Sequence, residues 1–241
     1  MTPRASHLLL LLLAACDGGS LTAAAPQPVV AAAPDAPGPP PGTGPRMTRH
    51  FEDSLFIKDA VIAGRIDELR APALRLVEWD GDEPPAWRPY IAATARHAKA
   101  LLVAADLDAA ALAAAGLART CGDCHAATVG PAFPARVAPA ITSRDPRQRM
   151  RRHQWAADRL WEAMVGHSDA AWTSGAAALA DPALLRADYP PDVEIEGDPL
   201  VVEARLRAFG ARAATARDWD ERVAIYGGLL ATCAACHADG R

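Results

Sequence analysis

The sequence is poor in aromatic residues, in β-branched residues and in long apolar runs. Only 5% of its 241 residues are aromatic although 51% are hydrophobic, so alanine supplies much of the apolar content. Because alanine is the best helix former and β-branched residues favour strands, this composition disfavours a β-sandwich or a doubly wound sheet. We therefore expect an all-α protein in which helices pack on helices.

The chain also lacks a strong charge of either sign. Its 25 basic and 29 acidic residues give a formal net charge of −4, so we expect no nucleic-acid partner. Because 22% of the residues are charged and half are apolar, the chain as a whole is not expected to be disordered. The sequence contains no catalytic triad pattern, no phosphate-binding loop and no paired acid–base signature.

The first residues have the composition of an export signal. Arg4 precedes the apolar run Leu8–Ala15, which is shorter than the roughly 18 residues needed to span a bilayer. The run ends in Leu-Ala-Ala directly before Cys16, which resembles the cleavage box of bacterial lipoproteins. That resemblance implies a signal peptide at 1–15, lipidation of Cys16 and a protein anchored to the periplasmic side of a bacterial membrane. An ordinary signal peptide with an incidental cysteine is the alternative.

A proline-rich segment and an internal repeat organise the rest of the chain. Residues 16–45 are rich in proline, alanine and glycine, a composition typical of a disordered linker without a core. The motif Arg-Met-x-Arg-His occurs at 46–50 and recurs 103 residues later, at 149–153. The motif Cys-x-x-Cys-His occurs at 121–125 and recurs 112 residues later, at 233–237. The chain therefore contains two copies of one unit.

Each copy contains four segments with helical periodicity. In the first copy, apolar residues recur at spacings of three, four and seven residues, and Gly64 is expected to end the first helix. Asp108 is expected to cap the fourth helix, which leads into the cysteine motif. We expect two tandem antiparallel four-helix bundles, at 46–130 and 149–241, joined by a linker at 131–148.

The two Cys-x-x-Cys-His motifs are typical of attachment sites for c-type haem. Two thiols about one helical turn apart can add to the two vinyl groups of one porphyrin, and the adjacent histidine can ligate the iron. His125 and His237 are the expected proximal iron ligands. The residues expected to hold two covalently bound haem c groups are Cys121, Cys124, His125, Cys233, Cys236 and His237.

Three other uses of paired cysteines are possible in principle. They are a zinc site, a thioredoxin-like redox pair and two structural disulfides. The histidine that immediately follows both pairs favours haem over all three.

A four-helix bundle with Cys-x-x-Cys-His near the end of its last helix resembles the cytochrome c-prime family. The resemblance covers residues 46–126 and 149–238, two family-sized units in tandem. It implies a haem within each bundle and a role in periplasmic electron transfer or in binding small gases. The tandem duplication and the Arg-Met-x-Arg-His segment depart from the simplest member of the family.

The resemblance also places the first helix of each bundle across the open face of the haem. Met47 and His50, like Met150 and His153, are three residues apart and therefore share one helix face. Methionine ligation would raise the reduction potential, whereas bis-histidine ligation usually lowers it. We favour His50 and His153 as distal ligands, because a thioether is the weaker ligand. Met47 and Met150 are the alternative, and a packing role without ligation is a third.

These residues predict a membrane-anchored dihaem c-type cytochrome that relays electrons between periplasmic or membrane redox proteins. It would be an electron carrier and not an enzyme. The alternatives are a dihaem peroxidase or nitrogen-oxide reductase, and a gas sensor or scavenger, all of which need an iron with an open position. The first-helix segments of the two copies are nearly identical, which argues against one haem having an open iron position while the other does not.

Overall fold

Eight α-helices follow one another along the part of the chain that the structure describes. The computed structural model describes residues 43–79, 84–128, 130, 133–142, 145–182 and 199–237, all within one compact unit, Asp35–Arg241. The helices are α1 (Thr43–Ile62), α2 (Arg70–Val77), α3 (Arg88–Leu102), α4 (Leu107–Ala127), α5 (Pro146–Gly166), α6 (Asp169–Ala180), α7 (Pro199–Thr215) and α8 (Trp219–His237), with 3-10 turns at Ile66–Leu69 and Pro85–Trp87.

Every regular element within these ranges is helical, so the prediction of an all-α protein is confirmed. No helix in the described ranges is both long enough and apolar enough to cross a membrane. The predicted signal peptide and Cys16 lie outside the described residues.

Aspartate side chains cap α4 and α8 at equivalent positions in the two copies. Asp106 Oδ1 accepts a hydrogen bond from Ala109 N (2.8 Å), and Asp218 Oδ1 accepts one from Glu221 N (2.7 Å). Each bond satisfies a backbone donor that the first helical turn leaves free, which contributes about 1 kcal/mol. The prediction of Asp108 as the cap was wrong, because the helix already includes Leu107 and Asp108 lies in its first turn.

Helices α1 and α5 both end next to a residue in the left-handed conformation. Gly64 (φ 72°) follows α1, as predicted, and His167 (φ 48°) caps α5. The two residues are 103 positions apart and are therefore equivalent in the repeat. A side chain makes this conformation unfavourable by roughly 1–2 kcal/mol, so the contacts of His167 must hold it there.

Helix α4 lies at the centre of the helix packing, because it contacts α1, α3, α5 and α8. A helix that is apolar all round is typical of such an enclosed position. Its small side chains allow the neighbouring helices to approach closely. The buried small residues of α4 are Ala110, Ala111, Ala113, Ala114, Ala115, Gly116, Ala118 and Gly122.

Large aromatic side chains fill the core around α5, α6 and α8. Trp161, Trp172 and Tyr226 are fully buried. Trp172 Nε1 donates to Ala213 O (2.8 Å), and the Tyr226 hydroxyl donates to Ala157 O (3.0 Å). Trp172 and Tyr226 therefore bury their rings while the polar atom of each side chain forms a hydrogen bond.

The helices fall into two sets of four, and within each set every helix contacts two others so that the contacts form a ring. Helix α1 contacts α2 and α4, while α3 contacts α2 and α4; likewise α5 contacts α6 and α8, while α7 contacts α6 and α8. The two sets also contact each other, through α4 with α5, α4 with α8 and α1 with α8. The buried Lys58 of α1 additionally forms an ion pair with Asp158 of α5.

The segment between α4 and α5 has no regular secondary structure where it is described, at 130 and 133–142. It is fastened to α5 by hydrogen bonds and an ion pair. Arg152 Nη1 donates to Pro139 O (2.7 Å), and Arg136 pairs with Glu162 (2.5 Å). This stretch of the predicted linker is therefore part of the packed structure.

Candidate functional site

The first Cys-x-x-Cys-His motif occupies the last turns of α4. Cys121 is buried and Cys124 is half-buried, one helical turn apart, and neither forms a disulfide. Burial raises the pKa of the Cys121 thiol to about 12, with a further contribution from Cys124. Burial also raises the pKa of Cys124. Both groups are therefore protonated thiols at neutral pH.

A pocket joins this motif to the first helix. The space between its lining residues is about 420 Å³, a figure that includes space open to solvent. It brings together His50 and Cys121, which are 71 residues apart in the sequence. The lining residues are Met47, His50, Trp79, Trp87, Tyr90, Ile91, Thr94, Cys121, Cys124 and His125.

His50 lies against the cysteine motif. Its Nε2 is 3.9 Å from Cys121 Sγ, and its ring packs edge-on against Trp79 with centroids 4.8 Å apart. Burial lowers the pKa of His50 to about 4; His125 lowers it further and Asp53 opposes the shift. Its Nδ1 is buried, and the described residues provide no hydrogen-bond partner for that atom. His50 is thus a neutral imidazole that could serve as a ligand.

His125 is held by the second half of the chain. Its Nδ1 lies 2.9 Å from the backbone oxygen of Val165, near the end of α5. Because a carbonyl oxygen only accepts hydrogen bonds, Nδ1 carries the hydrogen and Nε2 keeps its lone pair. Burial lowers the pKa of His125, and the bond to Val165 opposes this shift. The arrangement is the one usually found for metal-ligating histidines.

The second Cys-x-x-Cys-His motif occupies the end of α8, which contacts α5. Burial raises the pKa of the Cys233 thiol to about 12, with a further contribution from Cys236. On α5, burial lowers the pKa of His153 to about 4, and Arg149 lowers it further. His153 Nε2 is buried without a hydrogen-bond partner among the described residues, whereas Met150 is 46% exposed.

The two motif-bearing helices share more than their cysteines and histidines. Thr120 Oγ1 donates to Gly116 O (3.1 Å), and Thr232 Oγ1 donates to Gly228 O (2.9 Å). These residues are 112 positions apart, which extends the repeated pattern to Gly-Leu-x-x-Thr-Cys-x-x-Cys-His. This longer match is an additional sequence signal that the two cysteine motifs alone do not reveal, and it becomes visible once residues 116–125 and 228–237 are aligned.

At each of the two shared glycines, Gly116 and Gly228, an aromatic side chain from the preceding helix packs against the backbone. A β-carbon on Gly116 would lie 2.3 Å from His97 Cε1, and one on Gly228 would lie 2.7 Å from Phe209 Cε1. His97 and Phe209 occupy equivalent positions of α3 and α7. His97 is therefore a packing residue.

The two motifs lie towards opposite ends of the α4 and α8 pair. A β-carbon on Gly227 would lie 3.2 Å from Leu112 Cα, and the Arg119 guanidinium lies 5.8 Å from the centroid of the Trp219 ring. Leu112 thus lies beside Gly227, while Arg119, later in α4, lies beside Trp219, earlier in α8. The two helices are therefore antiparallel. With a rise of 1.5 Å per residue, the centres of the two motifs are about 28 Å apart along the helix axes.

Among the described residues, no three histidine, cysteine, aspartate or glutamate side chains form a group that could hold a metal ion. This finding does not test haem, because the porphyrin itself supplies four of the iron ligands. No protein-family model, curated protein or solved structure matches the chain.

Proposed function

We propose that the chain is a dihaem c-type cytochrome that carries electrons on the periplasmic side of a bacterial membrane. The observation that carries this proposal is the pocket that joins the first Cys-x-x-Cys-His motif to Met47 and His50. These are the two sequence motifs that the chain repeats. Their meeting at one pocket supports a shared role in binding one group.

The residues of the first pocket fit a haem. Cys121 and Cys124 are one turn apart, so each thiol could add to one vinyl group, the sulfur bonding to one vinyl carbon and the proton moving to the other. His125 offers Nε2 as proximal ligand because Val165 occupies Nδ1. The orphaned Nδ1 of His50 marks a buried polar group for which a partner is expected. A bound haem would supply reversible one-electron chemistry at its iron.

The contacts between helices support two tandem four-helix bundles, α1–α4 and α5–α8, of the cytochrome c-prime-like type. Each set closes on itself, since its first helix contacts its second and its fourth. Each set also ends in a helix that carries the cysteine motif. One covalently bound haem c is proposed for each bundle.

His50 and His153 are the proposed distal ligands. Both have a pKa of about 4 because they are buried, and both have a buried nitrogen without a described partner. The methionines are less alike, because Met47 lines the first pocket while Met150 is 46% exposed. Histidines on both sides of each iron would leave no open position, which suits electron transfer better than reaction with a bound substrate.

The proposed location depends on the start of the sequence. The apolar run Leu8–Ala15 followed by Cys16 supports export and lipidation. A lipid anchor would place the protein among periplasmic and membrane redox proteins, which are its proposed partners.

Optical spectra of the full-length protein, produced in a bacterium that attaches c-type haem, test this function. We expect low-spin spectra in the oxidised and reduced states, no change on addition of carbon monoxide, and uptake of two electrons per chain. A high-spin iron that binds carbon monoxide would contradict the carrier and indicate a dihaem enzyme or a gas-binding protein.

A further inference from the structure

The last turn of α5 approaches the first cysteine motif, although it belongs to the second copy of the repeat. Helix α5 ends at Gly166, so the carbonyl oxygens of its last turn lack the amide donors that a longer helix would supply. One of these oxygens, that of Val165, accepts the hydrogen bond from His125 Nδ1. A free helix end thus supplies the acceptor that sets the tautomer of His125.

Gly122, between the two cysteines, makes this approach possible. A β-carbon at this position would lie 2.0 Å from the Met164 carbonyl oxygen, a backbone atom that could move only if the end of α5 moved with it. The equivalent residue of the second motif is Ala234, which is fully buried. The two motifs therefore differ at the position that admits α5 in the first copy.

His167 holds the end of α5 in place. Its ring stacks on Trp219, with centroids 4.5 Å apart and planes 7° from parallel. Arg119 Nη1 lies 2.6 Å from His167 Nε2, and since a guanidinium only donates, the ring nitrogen accepts this bond. Arg119 also pairs with Asp123, which lies between the two cysteines. These contacts connect the left-handed cap of α5 to the motif itself.

We propose that the end of α5, Met164–His167, is the positioning element for His125, so that the second copy of the repeat completes the site of the first. This inference rests on the proposed function, in which His125 ligates the iron of the first haem. The bond to Val165 makes the imidazole a stronger electron donor. That favours the oxidised iron and lowers the reduction potential of the first haem.

The variant Gly122→Ala tests the role of the α5 end. Its β-carbon displaces the Met164 carbonyl, so we expect His125 to lose its fixed Nδ1–H tautomer in NMR spectra of its side-chain nitrogens, recorded on the full chain without haem. In the haem-loaded protein, the midpoint potential of one haem should rise while that of the other stays unchanged. Gly44→Ala is the matched control, because none of the described residues lies within 4 Å of a β-carbon there.

The variant His167→Gly supplies a second test that does not add atoms. Glycine keeps the left-handed backbone, as Gly64 does in the first copy, but removes the stacking on Trp219 and the bond from Arg119. We expect the same changes as in Gly122→Ala, with a smaller rise in potential. If Gly122→Ala does not fold, His167→Gly tests whether the end of α5 positions His125.

The two possible failures are distinguishable. If the folded variants keep the wild-type His125 tautomer and both wild-type potentials, the positioning role of α5 is wrong. If no haem attaches to the wild-type chain, the proposed function is wrong, while the NMR spectra still show whether Val165 fixes the tautomer of His125.

Discussion

At the scale of single residues, the two copies of the repeat share their cysteines and histidines but differ in buried charge at equivalent positions. Arg149 is only 3% exposed, whereas its counterpart Arg46 is exposed. Glu203 is 5% exposed, whereas its counterpart Ile91 lines the first pocket. Buried charges alter the energy of any charge that forms nearby. We therefore expect the two haems to have different reduction potentials.

The identity of the distal ligands can be tested by single substitutions. We expect His50→Ala and His153→Ala each to convert one haem to a high-spin form that binds carbon monoxide, because each removes one axial ligand. Met47→Ala and Met150→Ala are the matched controls and should stay low-spin. The measurement is the optical spectrum with and without carbon monoxide. The opposite pattern would make the methionines the ligands.

His97 should make the stability of the fold depend on pH. Burial and then the charge of Arg96 lower its pKa, so the unfolded chain takes up a proton more readily than the folded one. Stability should therefore be lost as the pH falls through the unfolded value near 6.5. In urea unfolding, His97→Phe should weaken this dependence.

The repeat supplies the control for this substitution, because phenylalanine already stands at the equivalent position, Phe209. Phe209→His should strengthen the pH dependence. An unchanged slope of stability against pH in His97→Phe would show that the ring at this position does not titrate as described.

At the scale of helices, the alanine-rich composition and the periodicity were enough to predict the fold class, the eight helical segments found in the described ranges and the end of α1 at Gly64. The cap of α4 was misplaced by two residues, because Asp106 and Asp108 are equally good capping residues and only the backbone decides between them. The bond between His125 and Val165 could not be predicted. It depends on where α5 ends beside α4, which no local pattern records.

Close contact between α6 and α7 predicts a cost for a larger residue at Gly210. A β-carbon there would lie 2.6 Å from Ala180 N and 2.9 Å from Leu179 C, which are backbone atoms. Overpacking destabilises the folded state by about 1–3 kcal/mol. Replacing glycine by alanine inside a helix stabilises it by about 1 kcal/mol, because alanine has the higher helix propensity. We expect a net destabilisation of about 1 kcal/mol, and at most about 2 kcal/mol, for Gly210→Ala in urea unfolding.

Two positions serve as controls for this substitution. Gly44→Ala adds the same methyl group at a position where no atom of the described part of the chain lies within 4 Å, and it should be nearly neutral. The equivalent position of α3 already carries a buried alanine, Ala98. The same methyl group is therefore accommodated in α3, whereas we expect it to collide with α6 when it is added to α7. Wild-type stability in Gly210→Ala would show that α6 and α7 can separate easily.

At the scale of the whole molecule, the repeat predicted two sites but not their arrangement. The antiparallel packing of α4 and α8 places the centres of the two motifs about 28 Å apart along the helix axes. The sequence could not predict this distance, because it depends on how the two copies pack together. The two copies are also not independent, since Val165 of the second contacts His125 of the first.

This separation predicts that the two haems titrate almost independently. Two unit charges about 28 Å apart interact by less than about 1 kcal/mol at the effective dielectric of a protein. In the double variant Cys121→Ser with Cys124→Ser, the remaining haem should keep its potential to within about 40 mV. The same should hold for Cys233→Ser with Cys236→Ser. A larger shift in redox titration would show that the haems lie closer together.

The intact mass of the protein, purified after production with c-type haem maturation, decides whether both cysteine motifs carry haem. We expect two covalently attached haem groups per chain. We expect one in the double variant Cys121→Ser with Cys124→Ser, and one in Cys233→Ser with Cys236→Ser. A mass without haem, with four free thiols or with bound zinc at these cysteines, would contradict the proposal of two haems.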